Sequence, residues 1–178
     1  MSNQKIEKIL IFSSPIGGIT MTTTVSIRQP YLSDINDIMR INRLCLPENY
    51  SYDFFYHVIS EFGYASAVAE IDEKVVGYVL SRIERPLSSF IGLQAIKGHI
   101  ISVAVLAPYR RRGIGVKMMK YAMQKLIEKK VETIYLEVRV SNFAAIELYK
   151  KLGFQIKREL KGYYRDGESA FLMEWGLQ

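Results

Sequence analysis

A strand-like run that passes directly into a basic, glycine-containing turn is the clearest chemical signal in the sequence. Residues 103–105 read Val-Ala-Val, residues 110–112 are three arginines, and Gly113 and Gly115 flank the start of a helical pattern. A helix N-terminus presents unpaired N–H groups and partial positive charge, glycines let backbone approach a ligand, and arginines add bidentate donors. An arginine-rich turn alone is more often a solvated face, but this context favours a pyrophosphate site.

Two known phosphate motifs do not describe this turn. It lacks the Gly-Lys-Ser/Thr ending of a P-loop and the first glycine of a Rossmann fingerprint.

Two side chains that can take up a proton occupy successive strand-like runs. His99 opens the run 99–105, and Glu137 interrupts the apolar run 134–138. A carboxylate among apolar residues can be tuned for proton transfer. The alternative for Glu137 is a structural ion pair with Arg139 or another basic residue, and the alternative for His99 is a structural histidine.

The elements that must position these residues alternate between strand and helix. The order β, α, α, β, β, β, α, β, α, β, β predicts an α/β fold with a mixed sheet and helices on both faces. The run 99–105 is apolar on both alternating faces, as in a central strand. Ser33 is predicted to cap the first helix, and residues 86–98 are predicted to form a loop. The other predicted strands are 25–28, 65–71, 75–82, 133–140, 154–160 and 170–174, and the later helices are 52–62, 114–129 and 142–151.

Composition limits the class of protein. The 178 residues predict a single domain, which we place at residues 21–178, with residues 1–20 as an extension of unknown role. The single cysteine, Cys45, is predicted to be buried, and it excludes an intramolecular disulfide. One cysteine and two histidines do not supply the usual zinc tetrahedron, so no metal is expected.

Charge and hydrophobicity bear on partners and location. The net charge of +6 permits a nucleic-acid or ribosome-surface partner, and an anionic small ligand explains it equally well. The apolar run 9–12 is too short for a signal peptide, and no run approaches the length of a membrane span. We therefore expect a cytoplasmic protein without a membrane partner, and we favour a monomer.

Two segments together resemble a known family. Arg110-x-x-Gly113-x-Gly115 after the Val-Ala-Val strand resembles the acetyl-coenzyme A motif of the GCN5-related N-acetyltransferase (GNAT) family, and residues 141–154 resemble its closing motif. The resemblance covers residues 25–175. It implies a mixed, mostly antiparallel sheet with a splay between two central strands, and acetyl-CoA as cosubstrate.

The resemblance also implies roles for individual residues. The backbone of residues 103–105 and the side chain of Asn142 would bind the pantetheine arm, and residues 111–116 would hold the pyrophosphate. Tyr149 would lie near the thioester sulfur as the acid, although a tyrosine at this helical spacing is normally core packing. The implied cofactor residues are Val103, Ala104, Val105, Arg110, Arg111, Arg112, Gly113, Ile114, Gly115, Val116, Asn142, Tyr149 and Lys151.

Within the family the chain most resembles N-terminal protein acetyltransferases of the NatA catalytic-subunit type, archaeal members above all, in segments 46–50, 97–99, 136–142 and 161–167. That resemblance implies direct attack by a protein α-amine on the thioester in a ternary complex, assisted by a general base. Glu137 and His99 are the candidates for that base, and which of them is the principal base stays open. The alternative is that the first and last of these segments are only a helix-breaking loop and a tyrosine-rich hairpin. The implied substrate-binding residues are Leu46, Pro47, Glu48, Tyr50, Tyr163 and Tyr164.

Other functions compete with this one. An acetyltransferase of ribosomal proteins (the RimI type) or of small amines would use the same cofactor motif, and the hairpin after Lys161 argues against an open small-molecule cleft. A binding module for RNA or the ribosome without catalysis belongs to another class. The intact glycine turn argues against it, as do Asn142 and Tyr149. In addition, the sequence shows no platform of basic and aromatic residues of the kind that binds RNA.

Overall fold

The computed structural model describes residues 7–16, 19–85 and 95–176, with side chains from residue 24 onward in these ranges. The predicted order of elements is confirmed, with one strand added before it. The strands are β1 (Glu7–Ile16), β2 (Ile19–Arg28), β3 (Ala67–Ile71), β4 (Lys74–Glu84), β5 (Lys97–Val105), β6 (Thr133–Arg139), β7 (Gln155–Leu160) and β8 (Ala170–Gly176). The helices are α1 (Ile35–Cys45), α2 (Tyr52–Phe62), α3 (Ile114–Glu128) and α4 (Phe143–Lys151). Of the predicted loop 86–98, residues 97 and 98 belong to β5, and residues 86–94 lie outside the described part.

The described strands form one sheet in the order β1-β2-β3-β4-β5-β6-β8-β7. The β5–β6 pair is parallel and the other neighbouring pairs are antiparallel, which confirms the expected mixed, mostly antiparallel sheet. Helices α1 and α2 pack on one face through a cluster that includes Ile38, Phe55 and Tyr78. Helices α3 and α4 pack on the other face, around Met118 and Leu136.

The two central strands separate after a short contact. Strand β5 pairs with β6 only where residues 97–99 face residues 133–135. The register between β4 and β5 shifts between Leu80 and Ser81, leaving Ile101 as an extra residue, and such a bulge bends a strand. Within the described residues, the β6-facing backbone edge of β5 beyond His99 therefore has no strand partner. This confirms the expected splay.

The start of α1 differs from the prediction. Ser33 does not cap the helix, because residues 32–34 form a 3-10 turn that leads into α1. The carboxylate of Asp34 instead accepts the N–H of Tyr31 at 2.7 Å and pairs with Arg28 at 2.7 Å. A buried arginine–carboxylate pair thus replaces the simple hydroxyl cap.

Candidate active site

A cleft of about 560 Å³ lies where the end of β5 meets the starts of α3 and α4. All but one of the residues predicted to bind the cofactor line it. The exception is Arg112, whose guanidinium lies over the Tyr109 ring, 5.7 Å from the ring centroid. The residues that do line the cleft are Val103, Ala104, Val105, Arg110, Arg111, Gly113, Ile114, Gly115, Val116, Asn142, Tyr149 and Lys151.

The turn before α3 requires an unusual backbone. Arg111 and Gly113 have φ angles of +62° and +76°, and Gly113 is the residue that precedes the helix. This left-handed region costs glycine little. Arg110 donates from Nε to the carbonyl oxygen of Val105 at 2.8 Å, which fixes the turn to the end of β5. A Cβ at Gly115 would come within 3.2 Å of Leu148, so glycine here lets α4 approach α3 closely.

Helix α4 brings two predicted residues to the cleft. The Oδ1 atom of Asn142 accepts the backbone N–H of Ala145 at 3.2 Å and so caps the helix. Tyr149 is 8% exposed, and burial raises the pKa of its phenol above the ordinary value of 10.0. The Tyr149 hydroxyl therefore remains protonated at neutral pH and can donate a proton or a hydrogen bond.

A second cleft, of about 250 Å³, adjoins the first. All residues predicted to bind the substrate line it: Leu46, Pro47, Glu48, Tyr50, Tyr163 and Tyr164. His99 and Glu137 line it too. Both clefts share Cys45, Leu46, Val103, Asn142 and Tyr149 as walls, so they meet at the splay between β5 and β6.

The two base candidates contact each other in the second cleft. Nε2 of His99 lies 2.8 Å from Oε2 of Glu137, and the His99 ring stacks on Tyr135 with centroids 4.3 Å apart. The Glu137 side chain is 16% exposed. The alternative pairing of Glu137 with Arg139 is wrong, because Arg139 binds other carboxylates.

Arg139 gathers three acidic residues and a tyrosine into what we name the Arg139 cluster: Glu48, Arg139, Tyr164, Asp166 and Glu168. Its guanidinium pairs with Glu48, donates to Asp166 at 2.8 Å and to Glu168 at 2.6 Å, and lies 4.0 Å from the Tyr164 ring centroid. The cluster connects the loop between α1 and α2 to the loop between β7 and β8. The sequence analysis did not predict that Arg139 connects these loops. Side chains alternate along a strand, so Tyr135, Glu137 and Arg139 share one face, and this pattern could have indicated that Arg139 lies near the site.

The tyrosines of the second cleft are held in their neutral form. Tyr50 stacks on Phe54 at 4.3 Å. Burial, and then the charges of Glu48 and Glu137, raise the pKa of Tyr50. Burial and the charge of Glu137 likewise raise the pKa of Tyr163. Both phenols therefore keep their proton and can donate hydrogen bonds.

Cys45 is half-buried rather than buried as predicted, and its Sγ lies 3.5 Å from the Val105 carbonyl oxygen. Its place at the junction of the two clefts follows from the end of α1, and no sequence signal indicated it.

A model of the acetyltransferase (GNAT) family matches residues 35–154, more than half of the chain. The chain belongs to the GNAT family. This confirms the resemblance, the acetyltransferase class and the expected fold. Among the described residues of this GNAT chain, none of the helices is both long and apolar enough to cross a membrane.

Individual relatives show which members of the GNAT family this chain is similar to. The N-alpha-acetyltransferase of Saccharolobus solfataricus is 48% identical over 151 residues, which cover 83% of this chain and 90% of the relative. The N-terminal acetyltransferase A complex catalytic subunit NAA10 of Arabidopsis thaliana is 35% identical over 159 residues, which cover 86% of this chain and 79% of that one. The crystal structure of Ard1 from Thermoplasma volcanium superposes with a TM-score of 0.76 at 27% identity, covering 86% of this chain and 98% of that one.

Proposed function

We propose that this GNAT enzyme transfers the acetyl group of acetyl-CoA to the N-terminal α-amine of proteins and peptides. The observation that carries the proposal is the meeting of two clefts, the second of which is lined by the His99–Glu137 pair. The first cleft, which we name the coenzyme cleft, has the anion-binding turn that a coenzyme needs, and the second, which we name the peptide cleft, has loops that would face a peptide. The relatives named N-alpha-acetyltransferase support the same acceptor.

The first cleft suits acetyl-CoA. The unpartnered edge of β5 offers backbone groups to a pantetheine arm, and the start of α3 with Arg110 and Arg111 offers N–H groups and positive charge to the pyrophosphate. Because the oxygen of Asn142 is used in the helix cap, its side-chain NH₂ is the group we expect to donate to the pantetheine.

Residues that line the second cleft supply the proton transfers. An α-amine has a pKa of roughly 7.7–8.0, so much of it is protonated at neutral pH and must lose a proton before it attacks a thioester. Glu137, held by His99, is placed to take that proton directly or through a water molecule. The protonated phenol of Tyr149 lines both clefts and is placed to donate to the departing thiolate.

The second cleft favours a chain end. The Arg139 cluster ties together the two loops that flank it, which leaves room for a flexible N-terminus and disfavours a lysine in the middle of a chain. Glu48 is paired with Arg139, so its negative charge is compensated when a substrate arrives. We further propose that the enzyme acts in the cytoplasm as a monomer, with the ribosome surface as a partner suited to its +6 charge.

A panel of peptides tests the proposal. Peptides beginning with Ser, Ala, Met-Leu and Met-Glu would be incubated with acetyl-CoA, beside a peptide with a blocked N-terminus and an internal lysine. We expect acetylation of free N-termini and none of the blocked peptide, measured by mass spectrometry. Transfer to lysine alone, or to no peptide while acetyl-CoA still binds, would contradict the proposal and point to small amines or ribosomal proteins.

Replacement of Arg111 by Ala is expected to weaken acetyl-CoA binding by about tenfold or more, because a hydrogen bond to a charged group contributes roughly 1.5–3 kcal/mol. Titration calorimetry measures the affinity. Arg112→Ala is the matched control, since the Arg112 guanidinium lies over Tyr109 and outside the cleft wall. Equal affinities of the Arg111 variant and the wild type would remove Arg111 from the pyrophosphate site.

A further inference from the structure

The imidazole of His99 has one nitrogen that the proposed base chemistry does not use. Its Nε2 contacts Glu137, whereas its Nδ1 is buried and has no hydrogen-bond partner among the described residues. The residue is 9% exposed. A buried nitrogen without a hydrogen-bond partner costs free energy and is rare in native structures, so its presence needs an explanation.

The nearest carboxylate to that nitrogen belongs to Glu84 on the adjacent strand β4. Its Oε1 lies 3.7 Å from Nδ1 of His99. Arg82 is the cross-strand neighbour of His99, and Glu84 follows two residues later on the same face of the sheet. The distance is too long for a hydrogen bond to a neutral ring, yet close enough for strong attraction to a protonated one.

Glu84 is held at this position by two donors. The Tyr135 hydroxyl donates to its Oε2 at 2.8 Å, and Arg82 donates from Nε to its Oε1 at 2.9 Å. Burial alone would raise the pKa of Glu84, but these hydrogen bonds outweigh it and keep that pKa below the ordinary value. Glu84 is therefore ionised at neutral pH, when its charge matters for His99.

The charged and titratable side chains around His99 come from three parts of the fold. Strand β6 supplies Glu137 and Tyr135, and strand β4 supplies Glu84 and Arg82. Two loop tyrosines, Tyr50 and Tyr163, line the same cleft and face Glu137. Among these groups the two carboxylates favour a protonated ring and Arg82 opposes it.

We propose that Glu84 is a positioning residue that stabilises the protonated form of His99 and so sets the pH above which the Glu137–His99 pair acts as the base. When His99 is protonated, both ring nitrogens donate, one to Glu137 and one toward Glu84. Glu137 then shares its charge with an imidazolium and is a weaker base. When the ring has lost the Nδ1 proton at higher pH, Glu137 no longer faces an imidazolium and is a stronger base. The kinetic part of this inference rests on the proposed function.

Glu84→Gln tests the proposal first without any substrate. The chain has two histidines, so His57→Gln leaves a single imidazole whose protonation can be followed by NMR against pH. Removing a carboxylate within 4–6 Å is expected to move the His99 titration midpoint about one pH unit lower. Glu61→Gln, which removes an exposed charge from the end of α2, is the matched control and should leave the midpoint in place. An unmoved midpoint in Glu84→Gln overturns the proposal.

The second test is the pH profile of kcat on a peptide that the enzyme acetylates. We use kcat because the free peptide amine itself titrates in kcat/KM. The acid limb of the Glu84→Gln profile should move to lower pH by the same amount as the NMR midpoint. In Glu84→Asp, which keeps a carboxylate, the acid limb should lie closer to that of the wild type. A uniform loss of kcat with an unmoved acid limb would show a merely structural role. Absence of acetylation in the wild type would refute the proposed function and leave the NMR result standing by itself.

Tyr135→Phe guards against a variant that fails to fold. It keeps the aromatic ring that stacks on His99 and removes only the hydroxyl that donates to Glu84. Glu84 then loses one of the two groups that fix its position, so the His99 titration midpoint is expected to move to lower pH in this variant too. A midpoint equal to the wild type in folded Tyr135→Phe would overturn the positioning role.

Discussion

Glu137→Gln is expected to lower kcat by about 10²–10⁴-fold, the usual contribution of a positioned general base. Glutamine has nearly the same shape and can still contact Nε2 of His99, which lies 2.8 Å from the carboxylate. It cannot accept a proton from the attacking amine at neutral pH. Steady-state kinetics on an acetylated peptide measures the loss.

Two further measurements distinguish the loss of a general base from a general loss of function. Acetyl-CoA affinity should be unchanged in Glu137→Gln, because Glu137 lines the peptide cleft and not the coenzyme cleft. Glu159→Gln, an exposed change on β7, is the matched control and should retain the wild-type rate. A wild-type rate in Glu137→Gln at neutral pH would remove Glu137 from the mechanism.

Arg139→Gln is expected to lower kcat/KM for peptide substrates by about 10²-fold, the loss that a displacement of about 1 Å near a reacting centre can cause. The Arg139 side chain is 14% exposed and connects the two loops of the peptide cleft. Without it, Glu48, Asp166 and Glu168 repel one another. The effect should lie mainly in KM for the peptide, and acetyl-CoA affinity should remain.

Arg139→Lys should recover only part of the activity, because an ammonium lacks the planar fork that serves several carboxylates. Arg158→Gln, an exposed charge on β7, is the control. An unchanged KM in Arg139→Gln would show that the loops hold their places without the cluster.

The same cluster has a pH dependence with a definite sign. The pKa of Asp166 is lowered by the Glu168 backbone N–H and then by Arg139, and the pKa of Glu168 by Ser141 and then by Arg139. Carboxylates with lowered pKa stabilise the fold above their ordinary values of 3.8 and 4.5, and that stability is lost as pH falls through the lowered values. The difference in Tm between wild type and Arg139→Gln should therefore be larger at pH 6 than in strong acid. A difference at pH 2 as large as that at pH 6 would contradict the ion pairing.

The sequence predicted the fold well because the fold depends on short-range pattern, and all but one of the residues proposed for the site line two adjoining clefts. Helix α2 was predicted at its observed bounds, and the strand–turn–helix around Gly113 lies at the coenzyme cleft. Periodicity and residue propensity failed where specific side-chain contacts decide the structure. Ser33 is not a cap because Arg28 recruits Asp34, and Arg112 is drawn to Tyr109. The contacts of Arg139 with Glu48 and Glu168 span 91 and 29 residues, which no periodicity encodes.

The brief contact between β5 and β6 has a thermodynamic consequence. With three residues of each strand paired, the described sheet consists of a larger part, β1 to β5, and a smaller part, β6 to β8, with few backbone bonds across the seam. A pantetheine arm on the open edge of β5 would supply hydrogen bonds that a neighbouring strand supplies elsewhere. Bound cosubstrate would then take the place of a neighbouring strand along β5. Its binding free energy would also stabilise the sheet against thermal separation of the two parts. The cellular supply of acetyl-CoA would in this way influence how long the enzyme itself survives.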